Sequence, residues 1–171
     1  MLSGTEPRHP AAEAMKDIRA LSQEALKEMR ALIMQLRPAG LEAGLLSALQ
    51  EYGTKQGLQV VADRIGIRSI PRVMEEGLWR IGQEALNNIR KHAEVSTANI
   101  LLECNEHEAK LTISDRGKGG AKRRKPSSEN SLGLSIMRER AQSLGGRLEI
   151  WSSSRKGTTV TAVIPLPYES E

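Results

Sequence analysis

Beyond residue 55 the apolar residues change their period in a fixed order, and that order constrains the fold more than any single motif. Leu58, Val60 and Val61 follow Gly57 and predict a strand. Pro71 suits the first turn of a helix, and Leu78, Ile81, Ala85 and Ile89 recur at helical spacing until about His92. Ala98 to Asn105 and Ala109 to Ser114 are alternating runs joined by the short link Glu106-His107-Glu108, which predicts a hairpin. Arg116 to Asn130 holds glycine, proline, serine and basic residues and reads as a mobile loop. Ser131 is placed to cap a helix from Leu132 to Leu144, ended by Gly145-Gly146. Arg147 to Ser152 and Thr158 to Pro165 are the last two strands, joined by a turn at Arg155-Lys156-Gly157. Strand, helix, hairpin, loop, helix, hairpin is not the alternation of a parallel doubly wound sheet. It predicts an α+β fold, with helices gathered on one face of a mixed, mostly antiparallel sheet.

Ahead of this region Ile18, Leu21, Ala25, Leu32 and Leu36 repeat at helical spacing, which predicts a long helix from about Ala12 to Leu36. Pro38 disfavours helix at Arg37. The apolar stripe needs a cover, either the following domain or a second copy of the same helix. A short helix from Leu41 to Tyr52 is expected to close at Gly53, and Arg64 to Ser69 reads as a turn. The division expected is an N-terminal helix within residues 1–40 and a domain over residues 41–171.

Composition narrows the function classes. One cysteine, Cys104, excludes an internal disulfide and a cysteine-cluster zinc site, and its apolar surroundings predict an inert buried thiol. The three histidines stand far apart, with no His-x-x-x-His pair. No apolar run reaches the roughly 18 residues of a membrane span, and Met1 to Pro10 lacks the hydrophobic stretch of a signal peptide. The expectation is a soluble cytoplasmic part, with any membrane contact made only through segments upstream. The net charge of +4 permits nucleic-acid binding, but two Trp, two Tyr and no Phe give no stacking platform for single strands. Lys122, Arg123, Arg124 and Lys125 remain a basic cluster; no nucleic-acid partner is expected of it, and a steep salt dependence is the property that would say otherwise.

Four segments can carry chemistry. Glu84, Asn88 and His92 are spaced i, i+4, i+8 on one helix face, with Lys91 beside them. Hard oxygen donors next to a cation suit a magnesium ion bridging phosphates, and a solvated face with i, i+4 pairing is the plainer alternative. Ser114-Asp115-Arg116-Gly117-Lys118-Gly119-Gly120 follows a strand; glycines allow a sharp turn and close approach, and an Asp there can accept from an exocyclic amine. Leu132-Gly133-Leu134 opens a helix whose free N–H groups would favour a phosphate. Lys156-Gly157-Thr158-Thr159 puts hydroxyls at a hairpin turn.

In this joint order the sequence resembles the ATP-binding domain of histidine kinases, within the group that includes gyrase, Hsp90 and MutL. Glu84-Ala85-Leu86-Asn87-Asn88, Lys91-His92-Ala93 and Leu132-Gly133-Leu134-Ser135-Ile136-Met137-Arg138-Glu139-Arg140-Ala141 are similar to the NarX, DegS and DesK subfamily of sensor kinases. Met29-Arg30-Ala31-Leu32 and Leu36-Arg37-Pro38-Ala39-Gly40-Leu41 resemble the second dimerisation helix of that subfamily and its exit. The resemblance covers about residues 12 to 165. It implies a two-layer α/β sandwich of the GHKL (Bergerat) type after a long N-terminal helix. It also implies ATP and Mg2+ as cofactors, a response regulator as partner, and a homodimer through the helical hairpin of a fuller protein.

The resemblance assigns roles. Asn88 would coordinate magnesium between the phosphates, and Glu84 would orient the metal or its water and assist phosphoryl transfer. Lys91 would contact phosphate and His92 would pack near adenine. Asp115 would accept the adenine amine over a floor shaped by Gly117 and Gly119. Residues 120 to 130 would form a lid. Gly133, between Leu132 and Leu134, would hold phosphate with the N–H groups after it, and Thr158 would line the adenine end.

Two departures stand out. The second glycine box reads Ser131-Leu132-Gly133 where the family usually begins Gly-x-Gly. No histidine has the His-Asp or His-Glu helical setting of a phosphoacceptor, since Pro10 follows His9, His92 belongs to the nucleotide face and His107 to the hairpin. The expectation is a kinase part that binds ATP but does not label itself. The alternatives are a nucleotide-responsive binding module of the same fold, or an anti-sigma-type protein kinase.

Overall fold

The computed structural model of the chain describes residues 10–35, 40–119 and 128–167. They fall into two units that separate near residue 37.

The first unit is one helix, α1 (Pro10–Gln35). Ala, Leu, Met, Glu and Lys dominate it, all strong helix formers, and Glu13 sits in the first turn, where a negative charge favours the helix dipole. Its apolar Met15, Ile18, Leu21, Leu26 and Met29 are all exposed. The stop expected at Arg37 lies outside the described residues.

The second unit carries the sheet. A 3-10 turn (Leu41–Ala43) leads into α2 (Leu45–Lys55), β1 (Gln59–Ile65), α3 (Arg72–Asn88) with a π turn at Ile89–Ala93, β2 (Thr97–Cys104), β3 (Glu108–Ser114), α4 (Ser128–Ser143), β4 (Arg147–Ser153) and β5 (Gly157–Pro165). The strand order is β1-β2-β3-β5-β4. Only β1 and β2 run parallel, with α3 as the crossover, so the sheet is mixed and mostly antiparallel as the pattern predicts. Helices α2, α3 and α4 cover one face. Ala98, Ile100, Leu102 and Cys104 of β2, and Ala109, Leu111 and Ile113 of β3, alternate into that layer and are buried. Leu78, Ile81, Ala85 and Ile89 meet them from α3, and Met137 and Ala141 from α4. On the opposite face Lys110 pairs with Glu103 across the β2–β3 ladder at 2.6 Å.

Three boundaries differ from expectation. Helix α2 does not close at Gly53 but runs on to Lys55. Gly53 is there for contact rather than termination, because a Cβ at that position would overlap Val60. Strand β1 takes Arg64 and Ile65 from the expected turn, because the parallel ladder with Leu102 and Glu103 holds them. Helix α4 starts at Ser128, a turn before the expected cap at Ser131, as no proline or glycine stands between Ser128 and Leu132 to stop it. The turn after β1 is tied down by arginines. Arg64 donates to the carbonyls of Gly66 and Arg68 at 3.0 and 2.7 Å, while Arg68 donates to those of Glu106 and Pro167. Among the described residues no helix is long and apolar enough to cross a membrane.

Candidate functional site

A cavity of about 710 Å3, counted out to its open mouth, lies between the helices and one end of the sheet. Its walls follow from the two periodicities. Ala85, Asn88, Ile89, His92 and Ala93 are successive turns of one helix face. Ile113 and Asp115, Thr158 and Val160, and Ile150 are the helix-facing positions of three adjacent strands and their ends. Gly119 and Leu134 close the remaining sides.

Asp115 is the one buried charged side chain among the described residues, at 5% exposure. It stands one residue past the end of β3. Its backbone N–H donates to the carbonyl of Thr158 at 3.0 Å, which continues the β3–β5 ladder. One carboxylate oxygen accepts the Gly117 N–H at 2.8 Å. The loop that makes this bond is pinned on both sides. Lys118 N–H donates to the Ala93 carbonyl at 3.0 Å, and the Lys118 ammonium pairs with Glu94. Arg155 N–H donates to the Lys118 carbonyl at 2.9 Å. Gly117 must be glycine here, since a Cβ would run into the backbone of Ala93. It is buried under the loop and shapes Asp115 from below rather than lining the cavity. Gly119 does line it.

The two adjacent asparagines separate cleanly. The Tyr52 hydroxyl of α2 donates to Asn87 Oδ1 at 3.0 Å, while Asn88 faces the cavity. Lys91 is exposed and stands outside the lining. In an α-helix it would follow Asn88 on the same face; the π turn at Ile89–Ala93 widens the helix by a residue and swings Lys91 away, while His92 stays on the wall. Glu94 then ends the helix in a left-handed conformation, φ 60°. Glu84 is half-buried one turn before Asn88, and its carboxylate packs on Gly133, where an added Cβ would force the Glu84 side chain to shift. Leu134 lines the cavity, whereas Leu132 points to solvent.

So Asn88, His92, Asp115, Gly119, Leu134 and Thr158 meet at one cavity, while Glu84, Lys91, Gly117, Leu132 and Gly133 are not among its lining; Gly117 touches it through Asp115, and Glu84 and Gly133 touch each other. Residues 120–127 of the expected lid lie outside the described residues. The sequence did not mark the apolar walls Ile113, Ile150 and Val160, and it sent Ala85 and Ile89 to the core, where their stripe also belongs. Nor did it mark Ser152, whose hydroxyl lies 2.9 Å from that of Thr158. The alternation along β4, which puts Ser152 on the same side as Leu148 and Ile150, was the only available signal.

Residues 74–168 match the family described as histidine kinase-, DNA gyrase B- and HSP90-like ATPase, and residues 2–41 match one described as histidine kinase. The sensor histidine kinase YhcY of Bacillus subtilis is 42% identical over 153 residues, covering 90% of this chain and 40% of that protein. LiaS of Bacillus subtilis, also a sensor histidine kinase, is 36% identical over 85% of this chain and 41% of its own length. The signal transduction histidine-protein kinase/phosphatase DegS of Brevibacillus brevis is 34% identical over 93% of this chain and 42% of its own. The chain thus spans about two fifths of these relatives. The fold is that of the histidine kinase domain of a blue-light activated kinase from Erythrobacter litoralis, with a TM-score of 0.59 at 22% identity over 74% of this chain and 61% of that one. The chain belongs to the histidine kinase-, DNA gyrase B- and HSP90-like ATPase family, and its relatives there are sensor histidine kinases.

Proposed function

We propose that the cavity is the ATP site of a two-component sensor kinase, and that this chain supplies the catalytic part of a phosphoryl transfer from ATP to a histidine outside it. The observation that carries the reading is Asp115: a carboxylate buried at the inner end of an apolar cavity, with one oxygen held by a backbone N–H and acceptor capacity left for a base amine. Ile113, Ile150 and Val160 offer flat apolar contact to a purine ring. His92 and Thr158 border the same space.

At the outer end, Asn88 and Glu84 bring an amide oxygen and a carboxylate, the hard donors that magnesium takes. Among the described residues no group of three or more acidic, histidine or cysteine side chains forms a metal cage. When bound, magnesium would neutralise phosphate charge. The chain's own part is to hold the purine through Asp115 and to keep Glu84 against Gly133. Gly133 is the sixth residue of α4, past the free N–H groups of a helix start, so the phosphate contact expected of it as a helix opening is not available there. The response regulator, the dimer through a helical hairpin, and residues 1–40 as its second helix belong to this proposal.

Calorimetry with ATP and ADP, with and without magnesium, on the native chain and on Asp115→Asn tests it. Magnesium-dependent ATP binding that Asp115→Asn abolishes is the expected result. Native binding that the substitution leaves intact would move the base away from Asp115 and sink the reading. Incubation with radiolabelled ATP should leave this chain unlabelled, and acid-labile label on it would refute the external acceptor.

A further inference from the structure

Lys118 is not among the residues that line the cavity, yet it ties two of the cavity's walls together. Its backbone and its side chain are all engaged. The N–H donates to the Ala93 carbonyl at 3.0 Å, the carbonyl accepts from the Arg155 N–H at 2.9 Å, and the ammonium pairs with Glu94. Ala93 and Glu94 end the helix that brings Asn88 and His92 to the cavity. Arg155 lies in the β4–β5 turn that leads into Thr158. Lys118 is therefore a joint between the helix wall and the strand wall.

Backbone geometry singles out the same joint. Among the described residues, the non-glycine residues with a left-handed backbone are Glu94, φ 60°, and Arg155, φ 64°. Both bond to Lys118, one from each side. That backbone is costly for a residue with a Cβ and persists where surrounding contacts hold it. The glycines flanking Lys118 are fitted as closely. A Cβ on Gly117 would run into the Ala93 carbonyl oxygen, and one on Gly119 into that of Ser153. The clasp reaches the cavity through Gly117, whose N–H holds the Asp115 carboxylate at 2.8 Å.

An exposed lysine beside such a cavity could serve as a cation for phosphate or as a tie. Its ammonium is already placed on the Glu94 carboxylate at the helix end, which favours the tie. A ligand that meets a site already in its binding shape is spared the cost of ordering it. We infer that Lys118 is a positioning residue, which through Glu94 locks the loop over residues 115–119 to the π turn that ends α3 and so presents nucleotide with a preformed cavity. The inference rests on the nucleotide reading above and extends it to a pair of residues outside the cavity lining.

The test measures ATP and ADP binding by calorimetry, with magnesium, for the native chain, Lys118→Met, Lys118→Arg, Glu94→Gln and the double variant Glu94→Gln with Lys118→Met. Amide exchange of Gly117 is followed in the same chains without nucleotide. The pair is exposed, 45% at Lys118 and 67% at Glu94, so its weight is that of a surface ion pair. Lys118→Met should weaken ATP and ADP by the same factor, about 2- to 5-fold. Glu94→Gln should weaken both as well, although removing a negative charge would by itself tighten a polyanion. The double variant should bind no more weakly than Lys118→Met, and Lys118→Arg should keep native affinity. The Gly117 N–H should exchange about 2- to 5-fold faster in each neutralised variant. A greater loss for ATP than for ADP in Lys118→Met, or tighter binding in Glu94→Gln, would make Lys118 a phosphate contact and overturn the inference. Native Gly117 exchange in both single variants overturns it too. Native affinities in both, with ATP binding still lost in Asp115→Asn, overturn this inference alone. No ATP binding by the native chain overturns the nucleotide reading and takes this inference with it.

Discussion

Gly57 and Gly157 share a positive φ, 83° and 87°, in a region that side chains avoid. They differ in what surrounds them. An added Cβ at Gly57 meets nothing within 4 Å. At Gly157 it overlaps the carbonyl oxygen of Asp115 and comes within 2.7 Å of that carbonyl carbon and 2.9 Å of Arg116 Cα. Gly57→Ala should therefore show the backbone cost alone, about 1–2 kcal/mol. Gly157→Ala carries the same cost and must also displace the backbone of Asp115. Losing the Asp115–Thr158 backbone bond adds about 1 kcal/mol, and bending angles to relieve the remaining overlap adds about 1 kcal/mol for each 7° or so. The total for Gly157→Ala is about 3–5 kcal/mol. With a urea slope of about 2 kcal/mol per molar, the midpoint should fall by about 0.5–1 M for Gly57→Ala and about 1.5–2.5 M for Gly157→Ala. ATP affinity should survive the first change and fall about tenfold or more in the second, because the Asp115 carboxylate moves with its backbone. Equal midpoint shifts, or native ATP affinity in Gly157→Ala, would show that the overlap is relieved without moving the site.

Three further outcomes are expected. Tyr52→Phe removes the hydroxyl that holds Asn87 and should cost about 1 kcal/mol in urea unfolding; a double-mutant cycle with Asn87→Ala should return most of it as coupling, and additive effects would deny the bond any weight. Burial raises the Cys104 thiol above its ordinary range, and the side chain is buried, so a thiol reagent should label the native chain only as fast as it unfolds; rapid labelling of the folded protein would contradict the packing. The bond to Glu103 raises the Lys110 ammonium above its ordinary value, so the pair stabilises the fold below that value and loses its effect as pH climbs through the folded one. Comparing urea midpoints of the native chain and Lys110→Met, the gap should hold from pH 7 to about 9, narrow above roughly 10.5, and shrink with salt. A gap that widens with pH would refute that sign.

The elements between residues 72 and 114 were legible because each shows one clean period, and the same periods bring Asn88, His92 and Asp115 to one end of the sheet. What the sequence hid depends on contacts. Gly53 looks like a helix terminator, and only the nearness of Val60 shows why glycine sits inside α2. The π turn carries no residue signature, so Lys91 could not be told from a cavity residue by spacing. Arg64 and Ile65 look like loop until β2 is beside them. The Ser152 hydroxyl acquires meaning only when the β4–β5 ladder sets it against Thr158. Local propensity reads elements well, whereas tertiary partners choose their ends and their functional neighbours.

The β3–β5 ladder carries an evolutionary consequence. Ser114 pairs with Thr159, so Asp115 and Thr158 are neighbours by strand pairing, although a glycine loop, α4 and β4 intervene along the chain. The spacing of these two groups is thus set by a hydrogen-bonded ruler and not by the length of polypeptide between them. Residues can be inserted into or deleted from that excursion without altering the ruler. Doubling its length raises the entropy of closure by only about 0.6 kcal/mol. The Asp115–Thr158 pair can stay constant across descendants while the chain between them is free to diversify.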